Sequence, residues 1–301
     1  MLRPVRPRRS VLYMPGSNLR ALEKGKNLPA DALILDLEDA VAPGAKRDAR
    51  QQVCAALKAG GYGQRELIIR VNSLNTPWGY ADLVAAGMAG ADAILLPKAE
   101  NAETVRQAET VLMASGAPAE LAIWCMMETP RAVLNAEQIA SASPRVACLV
   151  MGTSDLTKYI HGRHTPLREP MLTSLSLCIL AARAFGLAII DGVHLDLNDD
   201  TGFERSCRQG LELGFDGKTL IHPKTIAVAN RVFAPQPDEV EWSRRVILAH
   251  AEATAEGRGV IVLDGRLIEN LHVLEAHRLV SLADAIAGLD AANSPPIAAN
   301  A

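Results

Sequence analysis

The sequence predicts an α/β fold: a (β/α)8 barrel followed by a C-terminal helical extension. Three observations predict it. Short runs rich in Val, Ile and Leu recur up to Phe233, with the continuous apolarity of strands buried on both faces. A helix-like stretch follows each run, and eight such alternations fill an eight-stranded barrel. The first turn, Pro15-Gly16-Ser17-Asn18, lacks the Gly-x-Gly-x-x-Gly spacing of a doubly wound sheet, the structural rival.

In chain order the strand runs are Val11–Met14, Ala32–Asp36, Leu67–Val71, Ala93–Leu96, Leu121–Met127, Val146–Met151, Leu187–Val193 and Lys218–Ile221. The helical stretches are Asn18–Lys26, Ala45–Ala59, Tyr80–Ala89, Ala102–Met113, Arg131–Ala140, Met171–Phe185, Gly202–Leu213 and Pro223–Phe233. Ala45–Ala59 shows the helical period in Ala49, Val53, Ala56 and Leu57. Gly90, Gly186 and Gly214 stand just past helical stretches, where C-caps prefer glycine. The barrel domain is therefore expected over residues 1–233, with the arginine- and proline-rich start, Met1 to Arg9, read as a solvated arm. Residues 234–301 form the extension. Ala234-Pro235-Gln236-Pro237 is a linker, Asp238–Gly257 a long helix, Val260–Gly265 a small strand and turn, and Leu274–Ala287 a further helix. This extension is too small for a core of its own and is expected to pack on the barrel, on a neighbouring subunit, or on both. Its tail, from Ala291, is expected to be disordered.

Composition excludes several functions. The chain has 301 residues, 34 acidic and 31 basic, for a net charge of −3. That balance argues against a basic nucleic-acid-binding face, and 4% aromatic residues leaves little for base stacking. No apolar run reaches membrane-spanning length. The five cysteines, Cys54, Cys125, Cys148, Cys178 and Cys207, share no close spacing. They read as small buried hydrophobes in a reducing, cytoplasmic compartment.

The chemistry is expected at the C-terminal strand ends. Carboxylates stop three of the runs: Asp36, Glu38 and Asp39 after the second, Glu128 after the fifth, Asp155 after the sixth. A carboxylate there is costly unless something binds it. Hard oxygen ligands without paired His and Cys favour Mg²⁺ or Mn²⁺ over zinc. Glu128 and Asp155, from neighbouring strands, are the best pair. Asp36, Glu38 and Asp39 are more distant and suit hydrogen bonds to metal waters. Taken singly, each acid is as well read as a loop acid or helix N-cap, Asp155 before a helix at Leu156 for example. Arg70 is the natural partner of a substrate carboxylate, its guanidinium being a bidentate fork; an ion pair with Asp36 is the alternative, and both can hold. Lys98 is either a Schiff-base lysine or, better suited to its acidic surroundings, a salt-bridged one. Asp191, His194, Asp196 and His222 complete the rim, and His161 and His164 read as solvated.

Seven ordered motifs carry a family resemblance: Arg9–Ser17, Leu35–Val41, Arg70-Val71-Asn72, Leu96-Pro97-Lys98, Met127-Glu128-Thr129-Pro130, Gly152–Leu156 and Ile221-His222-Pro223. In these the chain resembles the citrate lyase β-subunit-like enzymes of the HpcH/HpaI aldolase superfamily, which include malyl-CoA and citramalyl-CoA lyases. The resemblance implies Mg²⁺ held by Glu128 and Asp155, with a 2-oxo acid on that metal and on Arg70. It implies acyl-CoA contacts near Tyr13, Arg20, Lys24, Ile221 and His222. It further implies a homotrimer, or a dimer of trimers, whose C-terminal lid covers a neighbour's site. Relatives carry a lid aspartate as acid/base group, where this chain places Glu269. They also often carry Gly-x-Glu-Asp where this chain has Gly152-Thr153-Ser154-Asp155.

The expected reaction is reversible retro-Claisen cleavage of a 3-hydroxyacyl-CoA bearing a carboxylate, giving a 2-oxo acid and an acyl-CoA. Glu269 would protonate the enolate carbon as general acid/base, with Arg70, Asp36 and Glu38 completing the catalytic set. The alternatives are a malyl-CoA-type thioesterase, a CoA-independent pyruvate aldolase on the same metal plan, and a non-catalytic assembly subunit. A one-methyl difference between oxo acids is worth only about 1–3 kcal/mol, so the sequence does not choose among them.

Overall fold

The structure, a computed structural model, describes residues 5–257 and 260–293. Strand and helix alternate as β1 (Ser10–Pro15), α1 (Leu19–Gly25), β2 (Ala32–Asp36), α2 (Lys46–Ala59), β3 (Glu66–Arg70), α3 (Gly79–Gly87), β4 (Ala93–Leu96), α4 (Ala102–Ala114), β5 (Ala122–Met127), α5 (Pro130–Leu134), α6 (Ala136–Ala140), β6 (Val146–Met151), α7 (Thr153–Tyr159), α8 (Leu172–Ala184), β7 (Ala188–Asp191), α9 (Asp200–Leu213), β8 (Gly217–Leu220) and α10 (Ile226–Val232). Each strand pairs in parallel with the next, and β8 returns to β1 through Val11↔Thr219. The result is the closed (β/α)8 barrel that the apolar runs predict.

Alternation along each strand sorts side chains into two layers. One row fills the barrel interior: Val11, Ile34, Ile68, Leu95, Trp124, Met126, Val150 and Ile190. The other packs outward under the helices: Leu12, Leu33, Leu35, Ile69, Ile94, Leu149 and Ile189 meet Val53, Leu83, Val105, Leu112 and Leu175. The strands are thus buried on both faces, which is why they read as unbroken apolar runs.

Two elements differ from the sequence expectation. Arg131–Ala140 is two helices, because Asn135 leaves helical geometry and caps both, its amide donating to the Glu100 carbonyl at 2.8 Å. Gly152 opens the short helix α7, which puts Asp155 in its first turn rather than at its cap. The N-terminal arm is also not wholly solvated. Arg8 pairs with Glu66 at 2.6 Å and lies 5.1 Å over the Trp124 ring, and the buried Arg9 pairs with Asp31 at 2.8 Å. These ion pairs close the bottom of the barrel.

The described residues divide into two compact units, Arg8–Phe233 and a second comprising residues 5–7, 234–257 and 260–293. The second holds α11 (Pro237–Ala255), β9 (Ile261–Leu263), β10 (Arg266–Ile268) and α12 (Asn270–Asn293). β9 and β10 pair antiparallel across Asp264-Gly265, both at positive φ (48° and 75°), a turn suited to the Asp-Gly dipeptide. Val246, Ala253, Ile261, Ile268, Val273 and Ala276 form a small core, so the expectation that this segment has none of its own is corrected. Most of the expected disordered tail, residues 294–301, lies outside the described residues. Among the described residues no helix is long and apolar enough to cross a membrane. All five cysteines are free, and all but Cys54 are buried.

Candidate active site

At the C-terminal rim of the barrel, the chain after β2 turns sharply. The cause is Asp36, whose carboxylate accepts the backbone N–H groups of Glu38 (2.9 Å) and Ala40 (3.0 Å). The same carboxylate receives Arg70 Nε and Nη2 from β3, each at 2.6 Å. Asp36 is therefore saturated, and it positions Arg70. The remaining edge of the guanidinium, Nη1, lies 3.0 Å from Glu38 and 3.5 Å from Asp39. Of the alternatives for Arg70, the Asp36 ion pair is formed, and Nη1 stays near the cavity. Glu38 is buried, and its Oε2 makes no well-aligned hydrogen bond despite the nearby guanidinium. Burial pushes its pKa up, helped by Asp39 and opposed by Arg70 and Lys98.

Lys46 was not anticipated from the sequence. It is buried at the start of α2 and donates to the carbonyls of Leu37 (2.9 Å) and Glu38 (2.6 Å). Asn72 adds a bond to the Leu37 carbonyl at 2.9 Å. Together they hold the acidic loop in place. The signal was available in Ala42-Pro43-Gly44-Ala45, a helix entry that leaves the next lysine pointing back at the loop.

Glu128 directly follows β5, where Thr129 caps α5 by accepting the Ala132 N–H and Pro130 opens the helix. Its side chain is 2% exposed, and Oε1 accepts the backbone N–H of Lys98 at 2.7 Å. Burial, then the Glu38 charge, raise its pKa to about 7 against the pull of Lys98. Glycine at 152 makes room for this carboxylate: a Cβ there would lie 2.3 Å from Glu128 Cβ and 2.7 Å from Oε2. Asp155, one helical turn on, has Oδ2 at 3.6 Å from Lys98 Nζ and Oδ1 at 3.4 Å from Lys158. Lys98 Nζ also donates to Glu38 Oε1 at 3.1 Å. Burial alone would lower the lysine's pKa, but Glu38 and Glu128 hold it raised, so it is an ammonium in ion pairs.

Glu128, Asp155, Arg70, Asp36 and Asp39 line one cavity of about 340 Å³, with Tyr13 and Ile221. The volume falls in the range of small-ligand sites. The Tyr13 ring stacks 4.8 Å from the Arg70 guanidinium, and its hydroxyl donates only to the Met126 sulfur, at 3.5 Å. Among the described residues no three His, Cys, Asp or Glu side chains form a ready-made metal cage. Two carboxylates on one cavity, one of them buried without a full counter-charge, nonetheless fit Mg²⁺, which takes one or two carboxylates and completes its shell with water and substrate oxygens. Glu128 and Asp155 would hold it.

The other rim residues lie apart from this cavity. Asp191 points between sheet and helices, where Lys218 (2.7 Å) and Arg168 (2.7 Å) pair with it. His222 accepts the Lys224 N–H and is exposed, and His161 and His164 are exposed as expected. Arg20 and Lys24 are exposed on α1, outside the cavity lining. Glu269 belongs to the second unit, exposed at the entry to α12, where its N–H donates to His272 Nδ1 at 3.0 Å.

Comparison with known proteins places the chain in a family. The chain is 48% identical, over 97% of its length and 100% of the relative's, to a (3S)-malyl-CoA thioesterase of Cereibacter sphaeroides strain KD131 / KCTC 12085. It is 36% identical to citrate lyase subunit beta of Escherichia coli K12, covering 92% of this chain and 93% of that one. Among solved structures it matches CitE of Mycobacterium tuberculosis in complex with magnesium, acetoacetate and coenzyme A, with a TM-score of 0.72 and 28% identity over 94% of this chain and 100% of that one. The sequence profile of the HpcH/HpaI aldolase/citrate lyase family matches residues 9–223. Barrel, rim acids and similarity along nearly the whole chain thus lead to one conclusion: the protein belongs to the HpcH/HpaI aldolase/citrate lyase family.

Proposed function

We propose that the protein hydrolyses the thioester of a carboxylate-bearing 3-hydroxyacyl-CoA of the malyl-CoA type, with Mg²⁺ (or Mn²⁺) held by Glu128 and Asp155. The observation that carries the substrate class is the meeting of Arg70, Glu128 and Asp155 on one cavity. The choice of hydrolysis is supported by the full-length similarity to (3S)-malyl-CoA thioesterases at 48% identity.

When bound, the metal supplies a Lewis acid beside the substrate's carboxylate. Arg70, aligned by Asp36, offers Nη1 to the same carboxylate. Tyr13 has a hydroxyl donor without a strong acceptor, able to orient a substrate oxygen. Glu38 and Lys98 order water around the acids. Glu269 is assigned the acid/base role: it takes a proton from water as the oxygen adds to the thioester carbonyl, and returns that proton to the leaving sulfur as the C–S bond breaks to give the carboxylic acid and free CoA. Arg20, Lys24, Ile221 and His222 are assigned to the CoA portion. The working form is proposed to be a cytoplasmic homotrimer, or a dimer of trimers, with the lid shared between neighbours; the free, mostly buried cysteines are in keeping with a reducing compartment.

The lyase reading keeps specific support in the citrate lyase β-subunit relatives. There Glu269 would protonate the enolate carbon after C–C cleavage. One experiment separates the two: (3S)-malyl-CoA and citramalyl-CoA are supplied with Mg²⁺, and free thiol and 2-oxo acid are measured in parallel. Thiol without oxo acid supports hydrolysis. Oxo acid without thiol overturns it in favour of the lyase. Turnover unaffected by both Glu128→Ala and Glu269→Ala overturns the site assignment.

A further inference from the structure

We propose that Lys98 is a tethered counter-cation that competes with the divalent metal for the rim acids and so sets the metal affinity of the site. The inference rests on the reading of Glu128 and Asp155 as a metal pair. It goes further in giving the apo site an occupant.

Three linked observations converge on this residue. Lys98 adopts φ of 48°, a left-handed conformation that residues with a Cβ rarely keep without a reason. That backbone turn lets its N–H donate to Glu128 Oε1 at 2.7 Å. The same turn sends the side chain to the acids, with Nζ 3.1 Å from Glu38 Oε1 and 3.6 Å from Asp155 Oδ2. One residue therefore holds Glu128 through its amide and balances two further acids through its ammonium.

Charge shows why the ammonium matters. Arg70 is held on Asp36 by Nε and Nη2, with only Nη1 turned to Glu38 at 3.0 Å, and Lys46 donates to carbonyl oxygens. Lys98 is the cation in contact with Asp155 from the strand side, on a flexible four-carbon stem that is one-third exposed. A divalent ion held by Glu128 and Asp155 would repel it, since Nζ already contacts Asp155. The stem can swing away, while the backbone bond to Glu128 need not change.

The test is Mg²⁺ titration calorimetry, with Mg²⁺-dependent melting, on wild type, Lys98→Met, Lys98→Arg and Lys98→Gly. Losing a partly exposed unit charge at this range should tighten Mg²⁺ binding in Lys98→Met roughly tenfold. Lys98→Gly keeps the amide donor and tolerates the left-handed turn, so it should tighten binding similarly and decides the matter if Lys98→Met does not fold. Lys98→Arg should stay near wild type. Unchanged or weaker Mg²⁺ binding in Lys98→Gly, or Lys98→Arg tightening like the neutral variants, overturns the proposal while the metal reading stands. A wild type that binds no Mg²⁺ overturns both.

Discussion

Replacing Gly152 by alanine tests the placement of the carboxylate pair directly. The backbone at 152 has φ of −99° and ψ of 66°, so alanine meets no left-handed strain and the effect is one of space. The added Cβ would sit 2.3 Å from Glu128 Cβ, about one ångström inside ordinary contact. Glu128 Cβ is fixed to its backbone and cannot rotate away. The end of β5 or the start of α7 must move, carrying Glu128 from Asp155. Overpacking of this kind costs about 1–3 kcal/mol, a fall in Tm of roughly 2–12 °C for a unit of this size. A displacement of about one ångström at a catalytic group costs on the order of 100-fold in turnover. Differential scanning calorimetry with and without Mg²⁺, followed by thiol release from (3S)-malyl-CoA, measures both. A Gly152→Ala protein with wild-type Mg²⁺ response and wild-type turnover would refute the view that this glycine makes room for the metal-binding acid.

Three further outcomes are expected. Arg70→Lys loses one of two parallel charge-assisted bonds to Asp36 and should cost about 2 kcal/mol in urea unfolding, with KM raised. Asp191→Asn leaves Lys218 and Arg168 facing a neutral group and should cost about 3–5 kcal/mol at pH 7. Burial alone would raise the Asp191 pKa, yet Lys218 and Arg168 hold it below the ordinary range. Its contribution is therefore present above the unfolded value of about 3.9 and lost as pH falls through the lower folded value, so acid melts of wild type and variant should converge. Glu128 behaves oppositely, because its folded pKa of about 7 lies above the unfolded value. In chelator, stability should decline as pH rises from about 4.3 to 7, and Mg²⁺ affinity measured by calorimetry should rise over the same range; a flat profile between pH 5 and 8 would contradict the assignment.

The barrel was legible because burial on both faces leaves a strong mark: no polar residue interrupts Ile34-Leu35 or Ile123–Met127 until the rim. Glu128, Asp155 and Arg70 could be read from position alone, since each follows the last apolar residue of a strand or comes shortly after it. What the sequence does not carry is side-chain direction. Asp191 also ends a strand, but strand parity turns it outward to Lys218, away from the cavity. Lys46 escaped notice because its partners are backbone carbonyls, which leave no trace in residue types. Lys98 was legible as a salt bridge, whereas its left-handed backbone was not, as nothing in Leu96-Pro97-Lys98 demands it. The small core of the extension was missed because its apolar residues are spread thinly over α11, the hairpin and α12.

The ion pairs of Arg8 with Glu66 and Arg9 with Asp31 lock the floor of the barrel, at the opposite end of the strands from the reacting groups. Anchorage and chemistry are thereby kept on separate ends of the same staves. Replacements among the upper acids and loops leave the lower lock untouched, so the cylinder stays shut while its rim changes. A barrel built this way can vary its rim without first having to relearn how to fold.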